Sequence, residues 1–389
     1  MTLLLIPILL TCVGFSNPQS NNVQPYFAIE ASGRKYVVTD ELLRGGWWNQ
    51  SSQEKFRDKK TLYEKAATSS VKTFKKDFPD IWQLVKRISA DVENKPFDGN
   101  IEFNPKQKTH KERFIVSGAK DGFDLDEEKL CRDILEYLKT GGKQGVRKSG
   151  HTVIKADVKV KSHRTPEQVI SKIGLRGGYT TYFQPNSCRQ HNIKLALGKF
   201  NGLVIRNGET VSFNQIVGPR TRDRGYREAK IILCGEFVPG VGGGVCQAST
   251  TLFNALLLSG VTIDKSYNHS RLISYVPVGR DAMVSSAADL RFTNNTGGTI
   301  YIESGINPAG EKSGSAFVQI YGNNTHIRYK PKTIVTESEL KENEIDPARQ
   351  SYTYIEAWNG ERLVNSKLVR KSKYSAVKQK VESTKSQQS

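Results

Sequence analysis

Cys246 follows three consecutive glycines, Gly242 to Gly244, in the stretch GVGGGVCQASTTLFNALLLSG, and His269, Asp281 and Asp289 come after it in the chain. A thiol, an imidazole and a carboxylate are the groups of a nucleophile, a general base and an orienting acid. The glycines permit positive φ and close backbone approach. The apolar run after them reads as a short buried helix that Gly260 closes. Cys246 would then occupy the first turn, where unpaired N–H groups and the helix dipole favour an anion. Such a place can draw a thiol from about 8.5 down to about 3.5–7.5. A small apolar residue packed under a tight turn would show the same pattern, so these residues alone leave both readings level.

His269 is the only histidine between Cys246 and His326, and it lies in SYNHSRLISYVPVGRDAMVSSAADLRFTNN, a stretch that reads as strand-like. A base on a strand after the nucleophile's helix is the order of papain-like folds, with a neighbouring acid orienting the imidazole. Asp281 and Asp289 both remain candidates for that acid. Zinc held by Cys246, His269 and an Asp competes with this reading, but no recognisable ligand pair supports it. No metal and no cofactor is expected. Along the helix, Leu252, Phe253, Leu256 and Leu257 would anchor the core, with Thr250, Thr251 and Asn254 on or near the exposed side.

The elements that must position these groups suggest an α+β chain of 389 residues, 37% hydrophobic and 25% charged. Residues 1–16 read as a signal peptide or N-terminal anchor and 17–25 as a linker, which implies export. An α+β domain over 26–177 follows. It opens with a hairpin in YFAIEASGRKYVVTDELL, turning at Ser-Gly and leading to a Thr39 or Asp40 helix cap. A charged helical stretch spans 51–92. RFIVSGAKDGFDLDEEKLCRDILEYLKTGG repeats the strand, turn, cap and helix order, and HTVIKADVKVKSH reads as a closing strand. From 178 to 325 the composition turns β-rich around the Cys246 helix. A C-terminal β extension over 326–373 carries a hairpin at Asn359-Gly360, and the basic tail from about 374 to 389 is expected to fray. Cys131 reads as a packing residue, and Cys188 and Cys234 as packing residues or a disulfide.

The formal charge is +19, from 58 Lys and Arg against 39 Asp and Glu. Without zinc-finger spacing, basic-region heptads or RNA-binding aromatics, that surplus does not indicate nucleic acid. Anionic wall polymers are the expected partners.

The motifs SFN, GY, GGGVCQ, ST, HS, YVP and GRDA, with RQHNI upstream, together resemble the VanW domain family. The preceding region is similar to a peptidoglycan-binding domain that accompanies it, and the two resemblances cover roughly residues 26–325. Met283 departs from the Thr usual after the DA pair, and Ser187-Cys188 departs before RQHNI. Members of the family are associated with glycopeptide resistance and with cysteine-dependent peptidoglycan L,D-transpeptidation. The resemblance implies Cys246 as nucleophile and His269 as base, with Asp281 or Asp289 behind it. Backbone N–H groups near Gly244, with Gln247 or Thr250, would hold the oxyanion. Arg220, Arg222, Arg224 and Arg280 would grip carboxylates of a stem peptide, and Tyr226 is a substrate contact or a core residue. A non-catalytic wall-binding protein and a papain-like peptidase or amidase are the alternative functions. Oligomeric state is not legible.

Overall fold

The structure is a computed structural model that describes residues 25–39, 59–141, 146–148, 151–233, 236–310, 313–342 and 344–378. The expected signal segment, most of the linker, the Asp40 cap, Cys12 and Cys234 lie outside the described residues. The chain is α+β, in two compact units. The first comprises 1–97 and 119–163; the second comprises 98–118 and 164–389.

In the first unit, strand Pro25–Ala31 pairs antiparallel with Arg34–Thr39 and parallel with His151–Lys155. Ser32 and Gly33 both take positive φ at the hairpin turn, as the Ser-Gly signal predicts. Ile81, Val85 and Ile88 of helix Pro79–Val92 and Leu130, Ile134 and Leu138 of helix Glu127–Lys139 fill the core. Asp126 caps the latter helix, accepting from Lys129 N at 3.1 Å. Burial and the nearby Glu127 and Glu128 push the Cys131 thiol up to about 12, which suits a packing role. The repeated strand–turn–helix order is not a structural repeat. Strand Phe114–Ser117 pairs instead with Asn100–Phe103 in a hairpin of the second unit, where Phe103 and Phe114 pack with Tyr301 and Tyr321.

The second unit is built on an antiparallel sheet in the order Val204–Ile205, Ile300–Asn307, Gly314–Asn323, Ile173–Phe183. Helix Val245–Ser259 lies against strands Ile173–Phe183 and Gly314–Asn323. That helix is apolar enough to be buried all round, and it is: Thr250, Thr251 and Asn254, expected near solvent, are fully enclosed. Their polar atoms are satisfied internally. Thr251 bonds Thr181 at 2.8 Å, and Asn254 donates to the Thr250 and Arg280 carbonyls.

A three-stranded C-terminal sheet, Ile327–Glu337, Arg349–Asn359 and Arg362–Tyr374, contains the expected Asn359-Gly360 hairpin. The tail departs from expectation at its start. Tyr374 is buried, and Val377–Lys378 pairs with Glu344–Asp346, so the chain stays in the fold through Lys378. Among the described residues no helix is long and apolar enough to cross a membrane.

Close helix–sheet approach requires Gly177, where an added Cβ would lie 2.6 Å from the Leu258 carbonyl carbon. Gly177→Ala should therefore cost about 1–3 kcal/mol of unfolding free energy in urea. Gly198→Ala meets nothing within 4 Å and should leave stability unchanged or raise it by up to about 1 kcal/mol.

Candidate active site

Gly244, at φ +109, ends the glycine turn, and a Cβ there would meet Arg189 Cγ and Ile193 Cγ1 at 3.0 Å. The turn is pinned from behind. Asn192 donates to the carbonyls of Arg227 and Gly243 and accepts from Arg227 N. Helix Val245–Ser259 starts at once, so Cys246 is its second residue. Val245 N and Gln247 N bond the Gly242 and Gly244 carbonyls, whereas the Cys246 N–H finds no acceptor among the described residues. A free N–H beside a half-buried thiol is a donor available to an oxyanion.

His269 is brought to this thiol by irregular chain. The strand-like stretch forms only the bridge Tyr267–Met283 before strand Arg291–Thr293, because its backbone is tied by side chains and broken at Pro277 and Gly279. Ser249 and Thr250 hold Ala282, the latter accepting from Ala282 N at 2.9 Å. These bonds set Asp281 behind His269. Asp281 Oδ2 accepts from His269 N at 2.6 Å and lies 2.7 Å from Nδ1, which leaves the other ring nitrogen free to serve Cys246, the thiol that the imidazole is coupled to. Both residues are buried, His269 at 5% and Asp281 at 1% exposure.

His269 is held by Asp281 through Nδ1 and is coupled electrostatically to Cys246, so it links the two. The three do not form a chelate, and no metal-holding cluster occurs among the described residues. Asp289 is elsewhere. Its oxygens accept from Ser212 Oγ at 2.6 Å and Asn214 N at 2.9 Å, fixing the start of helix Phe213–Val217.

The electrostatics favour a thiolate–imidazolium pair. Burial pushes the Cys246 thiol up, but the neighbouring His269 and the Arg220 guanidinium outweigh it, so the thiol lies below its ordinary range. Burial depresses His269, and Asp281 and Cys246 more than reverse that, raising it to about 9. Burial likewise raises Asp281, and His269, Arg370 and Tyr374 hold its carboxyl below the ordinary range.

The pair opens into a cleft of about 1880 Å³. Arg189, Arg220, Lys230 and Lys373 line it, and no carboxylate side chain does among the described residues. Gly244 and Gln247 also line it, but the Gln247 amide is already engaged with Thr181, Tyr182 and Arg189. Thr250, bound to Ala282, is part of the scaffold. Arg222 is exposed and pairs with Glu228; Arg280 donates to Asn254 and stacks on Tyr179; Arg224 is exposed; Tyr226 is in the core. None of these four lines the cleft. Sequence reasoning missed Arg189, Lys230 and Lys373. It also missed Tyr275, which burial and the negative charge of Cys246 hold protonated beside the thiol. Cys188 carries a free thiol.

A family model described as VanW like protein matches residues 188–312. The uncharacterized protein YoaR of Bacillus subtilis is 41% identical over 262 residues, which is 66% of this chain and 80% of YoaR. The vancomycin B-type resistance protein VanW of Enterococcus faecalis is 32% identical over 133 residues, 32% of this chain and 47% of that protein. No solved structure matches the chain.

Two outcomes follow from the coupled pair. With His269→Gln, burial dominates the thiol, so the midpoint of iodoacetamide alkylation at Cys246 should move above about 8.5, with at least about a tenfold slower rate at pH 7. An unmoved midpoint, read by peptide mapping, would refute the coupling. Stability carries the second signature. The raised His269 contributes stability that is whole below about 6.5 and is lost as pH rises through its folded value, about 9. The lowered Cys246 contributes stability that is whole above about 8.5 and is lost as pH falls through its folded value. Together they place the pair's greatest contribution between about pH 6.5 and 8.5. In Cys246→Ala only the histidine contribution remains, so urea unfolding against pH should show the variant losing ground to wild type as pH rises.

Proposed function

The chain belongs to the VanW-like family, and from that premise we propose that the Cys246 cleft is the site of a cysteine-dependent peptidoglycan L,D-transpeptidase. The contact of His269 with buried Asp281 and its coupling to Cys246, whose backbone N–H has no acceptor among the described residues, in one cation-lined cleft, is the observation that carries this reading. The unbalanced cations of the cleft support a substrate rich in carboxylates, as a stem peptide is. A relative named for vancomycin B-type resistance directs the reading to cell-wall chemistry.

In the first half-reaction, the Cys246 thiolate attacks the carbonyl carbon of the third, diamino-acid residue of a donor stem. The Cys246 N–H holds the resulting oxyanion. The His269 imidazolium gives its proton to the nitrogen of the terminal D-alanine, the C–N bond breaks, and a thioester remains. In the second, an acceptor amine loses a proton to neutral His269 and attacks the thioester carbon. The thiolate leaves, and the imidazolium is restored. Asp281 stays ionised throughout and keeps Nδ1 engaged.

On this reading the protein works outside the cytoplasm, exported or anchored, and its net charge of +19 strengthens attachment to anionic wall polymers.

Incubation with a tetrapeptide stem should give an intact-mass adduct of the tripeptide acyl group with release of D-alanine, and Cys246→Ala should give no adduct. Cross-linked dimers among the products identify an amine acceptor; shortened stems alone identify water and a carboxypeptidase. Retention of stems with neither adduct nor turnover would make the protein a wall binder and sink the enzyme reading.

A further inference from the structure

Asp281 and His269 sit on loops that lack a sheet of their own, and a strand far along the chain holds both. Tyr374 O–H donates to Asp281 Oδ1 at 2.6 Å and accepts from Gly279 N at 2.9 Å. Arg370 Nη2 donates to the Asp281 carbonyl at 2.6 Å, to the Gly279 carbonyl at 3.1 Å and to Asp281 Oδ1 at 3.4 Å. The end of the same strand and the residue after it grip the histidine loop, since Asn268 Nδ2 donates to the Lys373 carbonyl and Ser375 N to the Ser270 carbonyl. Arg370 and Tyr374 lie 89 and 93 positions beyond Asp281, outside the matched family region, which ends at residue 312.

We propose that strand Arg362–Tyr374 belongs to the catalytic apparatus, with Arg370 and Tyr374 as positioning residues that keep Asp281 ionised and aimed at His269. Burial of Arg370 is costly: its guanidinium lies over the Phe253 ring, and Nη1 has no partner among the described residues. What that cost secures is a fixed positive charge against a carboxylate that solvent does not reach. The groups facing Asp281 are His269, Arg370 and Tyr374, with the Tyr275 hydroxyl also close and Cys246 beyond His269. When His269 gives up its proton, Arg370 is the one cation left on Asp281 among the described residues. Without it, the buried carboxylate would take a proton and release the imidazole.

The inference rests on Cys246 acting as a nucleophile, and it does not depend on the substrate. Removing a buried cation raises the protonation midpoint of every neighbouring group, Asp281 and Cys246 included. Iodoacetamide alkylation of Cys246 against pH therefore reads it directly in the full-length protein. Arg370→Gln should move the acid limb of the profile up by about one pH unit or more. Arg370→Lys, which keeps the charge, should leave the limb near its wild-type position. Tyr374→Phe removes one donor from the carboxylate and should move the limb the same way by less; it decides the matter if Arg370→Gln does not fold. A merely structural role would lower the amplitude in all three variants with the limb in place, and that result overturns the proposal. If the limb moves but stem peptides give no adduct, the substrate reading fails and the role of the strand stands.

Discussion

A carboxylate at 1% exposure that accepts from four donors holds the second unit's functional half together. Leaving such a charge without partners would cost several kcal/mol, so the segments bearing its partners are obliged to meet. His269 supplies two donors from one loop, and Arg370 and Tyr374 supply the others from the C-terminal sheet. Three pieces of chain, two of them otherwise joined by a single β-bridge at Tyr267–Met283, are thereby fixed relative to one another. Loop 279–284 contributes through Asp281 itself and through the Gly279 carbonyl, which also accepts from Thr353 at 2.9 Å.

The Cys246 helix is the other partner in this arrangement, and its polar residues matter as much as its apolar ones. Leu252, Phe253 and Leu256 seat it in the core, and Gly177 lets the sheet backbone approach its last turn. Ser249, Thr250 and Asn254, on the side away from that anchoring, spend their hydrogen bonds on the backbone of residues 280–282. Thiol and carboxylate are thus referred to a common rigid element. An imidazole that must reach both has little freedom left, which is the condition for a coupled pair.

Local pattern explains what was legible in the sequence. The glycine turn, the helix after it, Cys246 at its start and the Asn359-Gly360 hairpin all express backbone preferences of neighbouring residues. Asp281 and Asp289 could not be separated that way. Both follow His269 at similar range, and the choice rests on bonds to Tyr374 and Ser212 that no periodicity encodes. Thr250 and Asn254 were misplaced because polar type argues for solvent, whereas here a neighbouring loop offers its backbone in place of water. The arginines near the motifs misled for the opposite reason. Arg222 is taken up by Glu228 and Arg280 by Asn254 and Tyr179, while Arg189 and Lys373 reach the cleft from segments 184 positions apart by number.

The charges divide into two compartments, and the division explains how one site can both attract an anion and hold one. Asp281 is sealed behind His269, where Arg370 and Tyr374 neutralise and fix it, so its field is spent on the imidazole. Cations face the cleft on the other side, unopposed by any lining carboxylate among the described residues. Arg220 serves both ends: it favours the thiolate, and it lines the path by which a carboxylate-bearing peptide would enter. Had Asp281 faced the cleft, it would have repelled such a peptide and competed for those cations. Burial behind the histidine removes that conflict, and the buried arginine on the C-terminal strand is what makes the burial tolerable.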